Sequence, residues 1–269
     1  MATREDTIHI SVDDNRIAGT IVTPDMRMPG VLFVHGWGGS QEQYLARARE
    51  VAALGCVCLT FDLRGHAGTL PQHETVTREN NLHDVLAAYD VLASHRAVDP
   101  SSIAIVGSSY GGYLGAILTA LRPVRWLALR VPALYMDNGW GLPKRQLHKE
   151  QDLASYRRSL VRPEDNRALR ACAEFKGDVL LVESERDATI PHEVICSYRD
   201  ACVNAHSLTY RIISGADHGL SEERWQRAYT ALLVSWMTEM VLGARQGSEA
   251  AQSSTMPGNT MPEAPPTPA

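Results

Sequence analysis

Ile103-Ala104-Ile105-Val106-Gly107-Ser108-Ser109-Tyr110-Gly111-Gly112 is the stretch whose reading decides the fold. Its first four residues form an unbroken apolar run, which suits a strand buried on both faces of a parallel sheet. Gly107 to Gly111 then spell G-x-S-x-G, and residues 113–121 continue with helical spacing and small side chains. A serine on such a sharp strand-to-helix turn projects its hydroxyl above the sheet. Glycines at 107 and 111 leave space that a Cβ would crowd. The start of the helix points unpaired N–H groups at the same spot. Ser109 is therefore the candidate nucleophile.

The same alternation extends in both directions. Residues 31–34 are a continuous apolar run ending at His35-Gly36, and 41–54 are helical in pattern with Gly55 as a stop. Residues 56–61, 126–131, 179–182 and 208–213 read as further strands. Residues 79–95 read as a helix with Leu82, Val85, Leu86, Tyr89 and Leu92 on one stripe. A long helix from Ser221 places Trp225, Tyr229, Leu232, Leu233, Trp236 and Met240 at core-facing spacing. Near the amino terminus, 7–12 and 17–22 flank the turn Asp13-Asp14-Asn15. Strands alternating with helices predict an α/β domain with a mostly parallel sheet covered on both faces. Residues 133–176 break the rhythm: no strand is evident, and 144–170 carry eight Lys/Arg against four Asp/Glu. They read as a short cap insertion of one or two helices, placed where loops at strand carboxyl ends bind ligands.

Composition bounds the possibilities. The chain has 269 residues. We assign 1–245 to one domain and 246–269, with five of the 14 prolines and no aromatic residue, to a disordered Pro-rich tail. The net charge of −5 gives no general attraction to nucleic acid or anionic membrane. No apolar run approaches transmembrane length, and the polar start carries no secretory signal. Cys56, Cys58, Cys172, Cys196 and Cys202 lack C-x-x-C spacing, which predicts reduced thiols in a cytoplasmic protein. No zinc-binding H-E-x-x-H, phosphate-binding or dinucleotide-binding motif occurs, so neither metal nor cofactor is expected.

A serine hydroxyl needs a base, and the base needs an acid to orient it. His218, in Gly215-Ala216-Asp217-His218-Gly219, follows the last strand and faces the same rim as Ser109. Asp187 follows the strand at 179–182 and is the preferred acid, with Glu183 and Glu185 as alternatives. The chain order Ser109, Asp187, His218 differs from the two familiar protease orders. Two donors are expected for an oxyanion. One is the backbone N–H of Tyr110. The other is an amide of the glycine-rich loop His35-Gly36-Trp37-Gly38-Gly39, with Trp37 the candidate. His35, Asp62 and Arg64 are read as loop braces.

Residues 7–245 resemble the α/β-hydrolase superfamily. The resemblance rests on the His-Gly loop at 35–39, Asp62-Leu63-Arg64-Gly65-His66, the turn at 107–112, Asp187 and His218. The chain is similar to small intracellular serine esterases grouped with dienelactone hydrolases, feruloyl esterases and serine aminopeptidase-like hydrolases. Dienelactone hydrolases proper use a cysteine nucleophile, and Ser109 departs from that. Ala67 before Gly68 departs from the usual continuation of the D-x-R-G-H stretch. The resemblance implies a serine hydrolase acting on small carboxylic esters through an acyl-enzyme, with thioester or peptide cleavage by the same residues as the alternative. A catalytically silent binding protein is the rival from another class.

Substrate residues are less evident. Tyr135 and Trp140 are candidate walls of an acyl or aromatic pocket, against the simpler reading that they pack the insertion onto the sheet. The cluster Lys144, Arg145, Lys149, Arg157 and Arg158 reads as a solvated helix face. The competing reading is attraction of an anionic substrate such as a coenzyme A thioester.

Overall fold

The computed structural model describes residues 4–23 and 28–253. Its strands are β1 (Arg4–Val12), β2 (Asn15–Thr23), β3 (Met28–Val34), β4 (Val57–Phe61), β5 (Val98–Ser108), β6 (Trp126–Arg130), β7 (Asp178–Ser184) and β8 (Ser207–Ile213). They form one sheet in the order β1-β2-β4-β3-β5-β6-β7-β8. The β1–β2 hairpin joins β4 antiparallel, and every pairing from β4 to β8 is parallel. The helices are α1 (Glu42–Ala53), α2 (Arg78–Ala93), α3 (Tyr110–Leu118), α4 (Leu147–Glu150), α5 (Leu153–Arg157), α6 (Arg167–Glu174), α7 (His192–Ala201) and α8 (Glu223–Ser253).

Side chains alternate across each strand with period two, so the central strands feed two cores. Leu32, Val34, Leu59, Phe61, Ile103 and Ile105 join residues of α2, α3, α6 and α7 on one face. Val31, Phe33, Cys58, Ala104 and Val106 join residues of α1 and α8 on the other. Cys56 and Cys58 share that second face, as their spacing predicts. Each fully buried Leu, Ile or Phe contributes roughly 1.5–3 kcal/mol, so burial of both faces fixes the sheet's register. The site then sits on a rigid edge.

Three differences from the sequence expectation bear most on the architecture. β5 begins at Val98 because its first residues pair with the start of β3 across an irregularity at Pro29/Gly30. The insertion holds three short helices, α4 to α6, with 3₁₀ turns at Lys144–Gln146 and Pro163–Asp165. It is seated by Leu134, Leu147, Leu153 and Leu169, all buried in the first core. Residues 246–253 extend α8 instead of beginning a tail. They include Ala, Glu and Gln, which favour helix, and no proline. The remainder of the expected tail, 254–269, lies outside the described residues. No helix among the described residues is long and apolar enough to cross a membrane.

Candidate active site

Ser109 occupies the turn between β5 and α3 with φ of 51° and ψ of −117°. That conformation is strained for a residue with a side chain and is held only where surroundings over-determine it. Here the Ser109 N–H donates to Arg130 O at 2.9 Å, and its carbonyl accepts from Tyr113 N–H at 3.1 Å and Ala133 N–H at 2.9 Å. The glycines provide the space. A Cβ at Gly107 would lie 2.6 Å from Gly111 O, and one at Gly111 would overlap the Val34 carbonyl oxygen.

Ser109 Oγ lies 3.1 Å from His218 Nε2. His218 Nδ1 lies 2.7 Å from Asp187 Oδ2. The carboxylate only accepts, so Nδ1 carries the proton and Nε2 presents a lone pair to the serine hydroxyl. Asp187 is itself fixed. Its Oδ1 accepts the Thr189 and Ile190 amides at 2.7 and 2.8 Å, and its side chain is only 3% exposed. The alternative acids are engaged elsewhere. Glu183 faces His192 and Tyr210, and Glu185 accepts from Ser214 Oγ and Gly215 N–H.

The loop at 35–39 is braced by two neutral histidines. His35 Nε2 accepts the Leu63 N–H at 3.0 Å, and its Nδ1–H donates to Gly36 O. His66 Nε2 accepts the Gly38 N–H at 2.9 Å. Burial pushes the His35 imidazole below its ordinary range. Burial, reinforced by the neighbouring His35, brings His66 down to about 4. Neutral rings are what both acceptor roles require. With Gly38 committed to His66 and Gly39 N–H to Gly36 O, the Trp37 amide is left without a protein acceptor among the described residues. The Tyr110 amide opens α3, where first-turn N–H groups lack helical partners. Asp62 accepts from Gln41 N–H and Nε2 at 2.8 and 3.0 Å. Arg64 Nε meets Asp84 Oδ1 at 2.5 Å. Both tie loops together.

A pocket of about 340 Å³ opens beside Ser109. Gly36, Trp37, Gln43, Arg47, Arg130, His218 and Gln226 are among its lining residues. Tyr135 and Trp140 are not brought to it. Tyr135 is 4% exposed and packs edge-on against Tyr110 and Tyr113 at 5.7 and 5.0 Å. Trp140 stacks on Tyr113 at 6.2 Å. Both anchor the insertion to the sheet. Lys144, read from sequence as part of a solvated face, is buried instead. Its ammonium sits 4.5, 5.0 and 4.8 Å from the Trp37, Tyr110 and Tyr135 rings. Burial raises the Tyr135 phenol, but Lys144 and Arg157 outweigh it and leave the group below its ordinary value. No local sequence feature marks Lys144 for this role, because two of the three rings, Trp37 and Tyr110, come from distant segments.

The three loops carrying Ser109, Asp187 and His218 leave the carboxyl ends of β5, β7 and β8, and residues 31–233 match the alpha/beta hydrolase family. The chain belongs to that family. Among solved structures, this alpha/beta hydrolase is similar to the dienelactone hydrolase of Anabaena variabilis, at 20% identity and TM-score 0.63 over 88% of this chain and 98% of that one. It is similar to Est1E of Butyrivibrio proteoclasticus, seen with ferulic acid bound, at 18% identity and TM-score 0.66 over 88% and 98%. The acylaminoacyl peptidase of Pyrococcus horikoshii aligns at 18% identity and TM-score 0.67, over 90% of this chain and 42% of that one. At these identities the likeness is one of fold. A curated relative, the quorum-quenching protein AidA of Acinetobacter baumannii, is 32% identical over 92 residues. That match spans 34% of this chain and 30% of the relative.

Proposed function

We propose that this protein is a serine hydrolase that cleaves carboxylic esters of small acyl substrates through an acyl-enzyme intermediate. The observation that carries the reading is the continuous hydrogen-bonded line Asp187–His218–Ser109, at 2.7 and 3.1 Å. His218 Nε2 takes the hydroxyl proton as Ser109 Oγ attacks the acyl carbonyl, and Asp187 stabilises the imidazolium that forms. The Trp37 and Tyr110 amides receive the developing oxyanion. Removing one such donor costs about 2.7–4 kcal/mol of barrier. His218 returns the proton to the leaving alkoxide, and water repeats the cycle on the acyl-enzyme. The free thiols at all five cysteines support a reducing compartment, and we place the protein in the cytoplasm.

The test is hydrolysis of a short p-nitrophenyl ester by the wild-type protein and by Ser109→Ala. Turnover is expected to fall by about 10⁶-fold, as for loss of a triad serine elsewhere. Unchanged turnover removes the nucleophile. Thioester and aminoacyl substrates of the same acyl chain test the bond preference, with the ester expected to rank first.

A further inference from the structure

The pocket beside Ser109 is lined by two guanidinium groups and by no carboxylate. Arg130, at the end of β6, is only 7% exposed. Its Nε donates to Ser108 Oγ at 3.3 Å and its Nη1 to His218 O at 2.8 Å. Arg47 projects from α1, with Nε on Thr230 Oγ1 at 3.2 Å and Nη1 on Gln43 O at 3.1 Å. Both lie over the ring of Tyr229, at 5.1 Å for Arg47 and 5.6 Å for Arg130. Each guanidinium is thus held in one orientation while its Nη2 has no acceptor among the described residues. Neither has an ion-pair partner there. Arg64, Arg122 and Arg145 meet Asp84, Asp90 and Glu74, whereas the buried Arg78 and Arg157, also without an ion pair among the described residues, donate to backbone carbonyls of the insertion and do not line this pocket.

Arg130 is desolvated, and a buried cation without a counter-ion is costly unless something pairs with it. Arg47 is half-buried on the pocket wall. The basic residues of the insertion do not supply the same potential. Lys144 is enclosed by aromatic rings, Arg145 is paired, and Arg157 donates to Leu134 O. Positive charge beside the nucleophile therefore comes from Arg47 and Arg130, with Gln43 and Gln226 as neutral neighbours on the pocket wall.

We propose that this pocket recognises an anionic group, a carboxylate or a phosphate, carried on the substrate a few bonds from the scissile carbonyl. Arg47 contacts the anion, and Arg130 adds its positive charge while holding the His218 loop. The inference rests on the serine-hydrolase reading, because the pocket it describes is the one that Ser109 opens into.

Isothermal titration calorimetry on Ser109→Ala tests it without turnover. The probes are monomethyl glutarate, methyl 4-phosphonobutyrate and the neutral methyl valerate. An anionic ester is expected to bind about tenfold more tightly than the neutral one, as hydrogen bonds to a charged group contribute. The advantage shrinks as sodium chloride rises from about 0.05 to about 0.5 M. Adding Arg47→Gln removes most of it, and Arg47→Lys restores part. Whichever anion binds more tightly identifies the source as carboxylate or phosphate. Equal binding of anionic and neutral esters, or an advantage untouched by Arg47→Gln, overturns the inference. Serine-dependent hydrolysis of neutral p-nitrophenyl esters then still supports the parent reading. Anion binding without serine-dependent turnover supports the subsite and overturns the parent reading.

Discussion

Asp187 offers its two oxygens to different partners, one holding the carboxylate in its loop and one meeting the imidazole. Oδ1 is committed to two backbone amides and Oδ2 to His218. Asp187→Asn keeps the shape but presents an amide where a carboxylate is needed, which favours the wrong imidazole tautomer. We expect kcat to fall by about 10⁴-fold with little change in stability, measured on a p-nitrophenyl ester alongside thermal unfolding. A loss under tenfold contradicts the assignment. His66 yields a prediction about pH. Its folded value of about 4 lies below the ordinary 6.5, so between those values the unfolded chain binds the extra proton. Stability therefore rises with pH across that window and is unaffected by this group above it. His66→Asn, which keeps an acceptor for Gly38, should flatten urea midpoints between pH 4.5 and 6.5. An unchanged slope contradicts it. The meeting of Ser109, His218 and Asp187 was legible residue by residue because each follows a strand's carboxyl end. Lys144 and Arg47 were not, since burial and pocket exposure depend on segments far away in the chain.

Among the elements, the crossing of α3 over β3 is the tightest constraint on the site. A methyl group at Gly111 meets the Val34 carbonyl, which belongs to a paired central strand and cannot yield. Gly111→Ala is expected to destabilise by about 3 kcal/mol or more, at the upper end of overpacking effects, and to abolish activity. Chemical denaturation checks the first and ester hydrolysis the second. The Arg64–Asp84 pair ties the loop after β4 to α2, with side chains 4% and 0% exposed. Asp84→Ala leaves the buried guanidinium with only the exposed Asp13 carboxylate as counter-charge and should cost about 3 kcal/mol, the lower end of the loss for breaking a buried pair. Asp90→Ala breaks the partly exposed pair with Arg122 and should cost about 1 kcal/mol or less. Similar losses at both sites contradict the distinction. The central parallel strands were legible as apolar runs because both faces are buried, whereas β8, at the sheet's edge, is largely exposed. The insertion's helices were not, since α4 and α5 are too short to show periodicity and are held by tertiary packing.

At the scale of the whole molecule, the sheet order places β5 next to β6, then β7, then β8. Parallel neighbours bring their carboxyl ends to one rim, so residues 109, 187 and 218 meet although separated widely in sequence. Hydrophobic alternation and the serine turn are enough to place these three residues on one rim. The same information did not reveal which charged groups face the resulting pocket. Arg130 ends a strand of the apolar series and Arg47 lies on an ordinary amphipathic helix, so neither stands out locally. The most direct measurement is labelling of the purified protein with a fluorophosphonate probe, followed by peptide mass spectrometry. One adduct on Ser109 is expected, absent from Ser109→Ala and strongly slowed in His218→Ala. An adduct on another residue, or an unmodified Ser109 in folded wild-type protein, contradicts a serine nucleophile driven by His218.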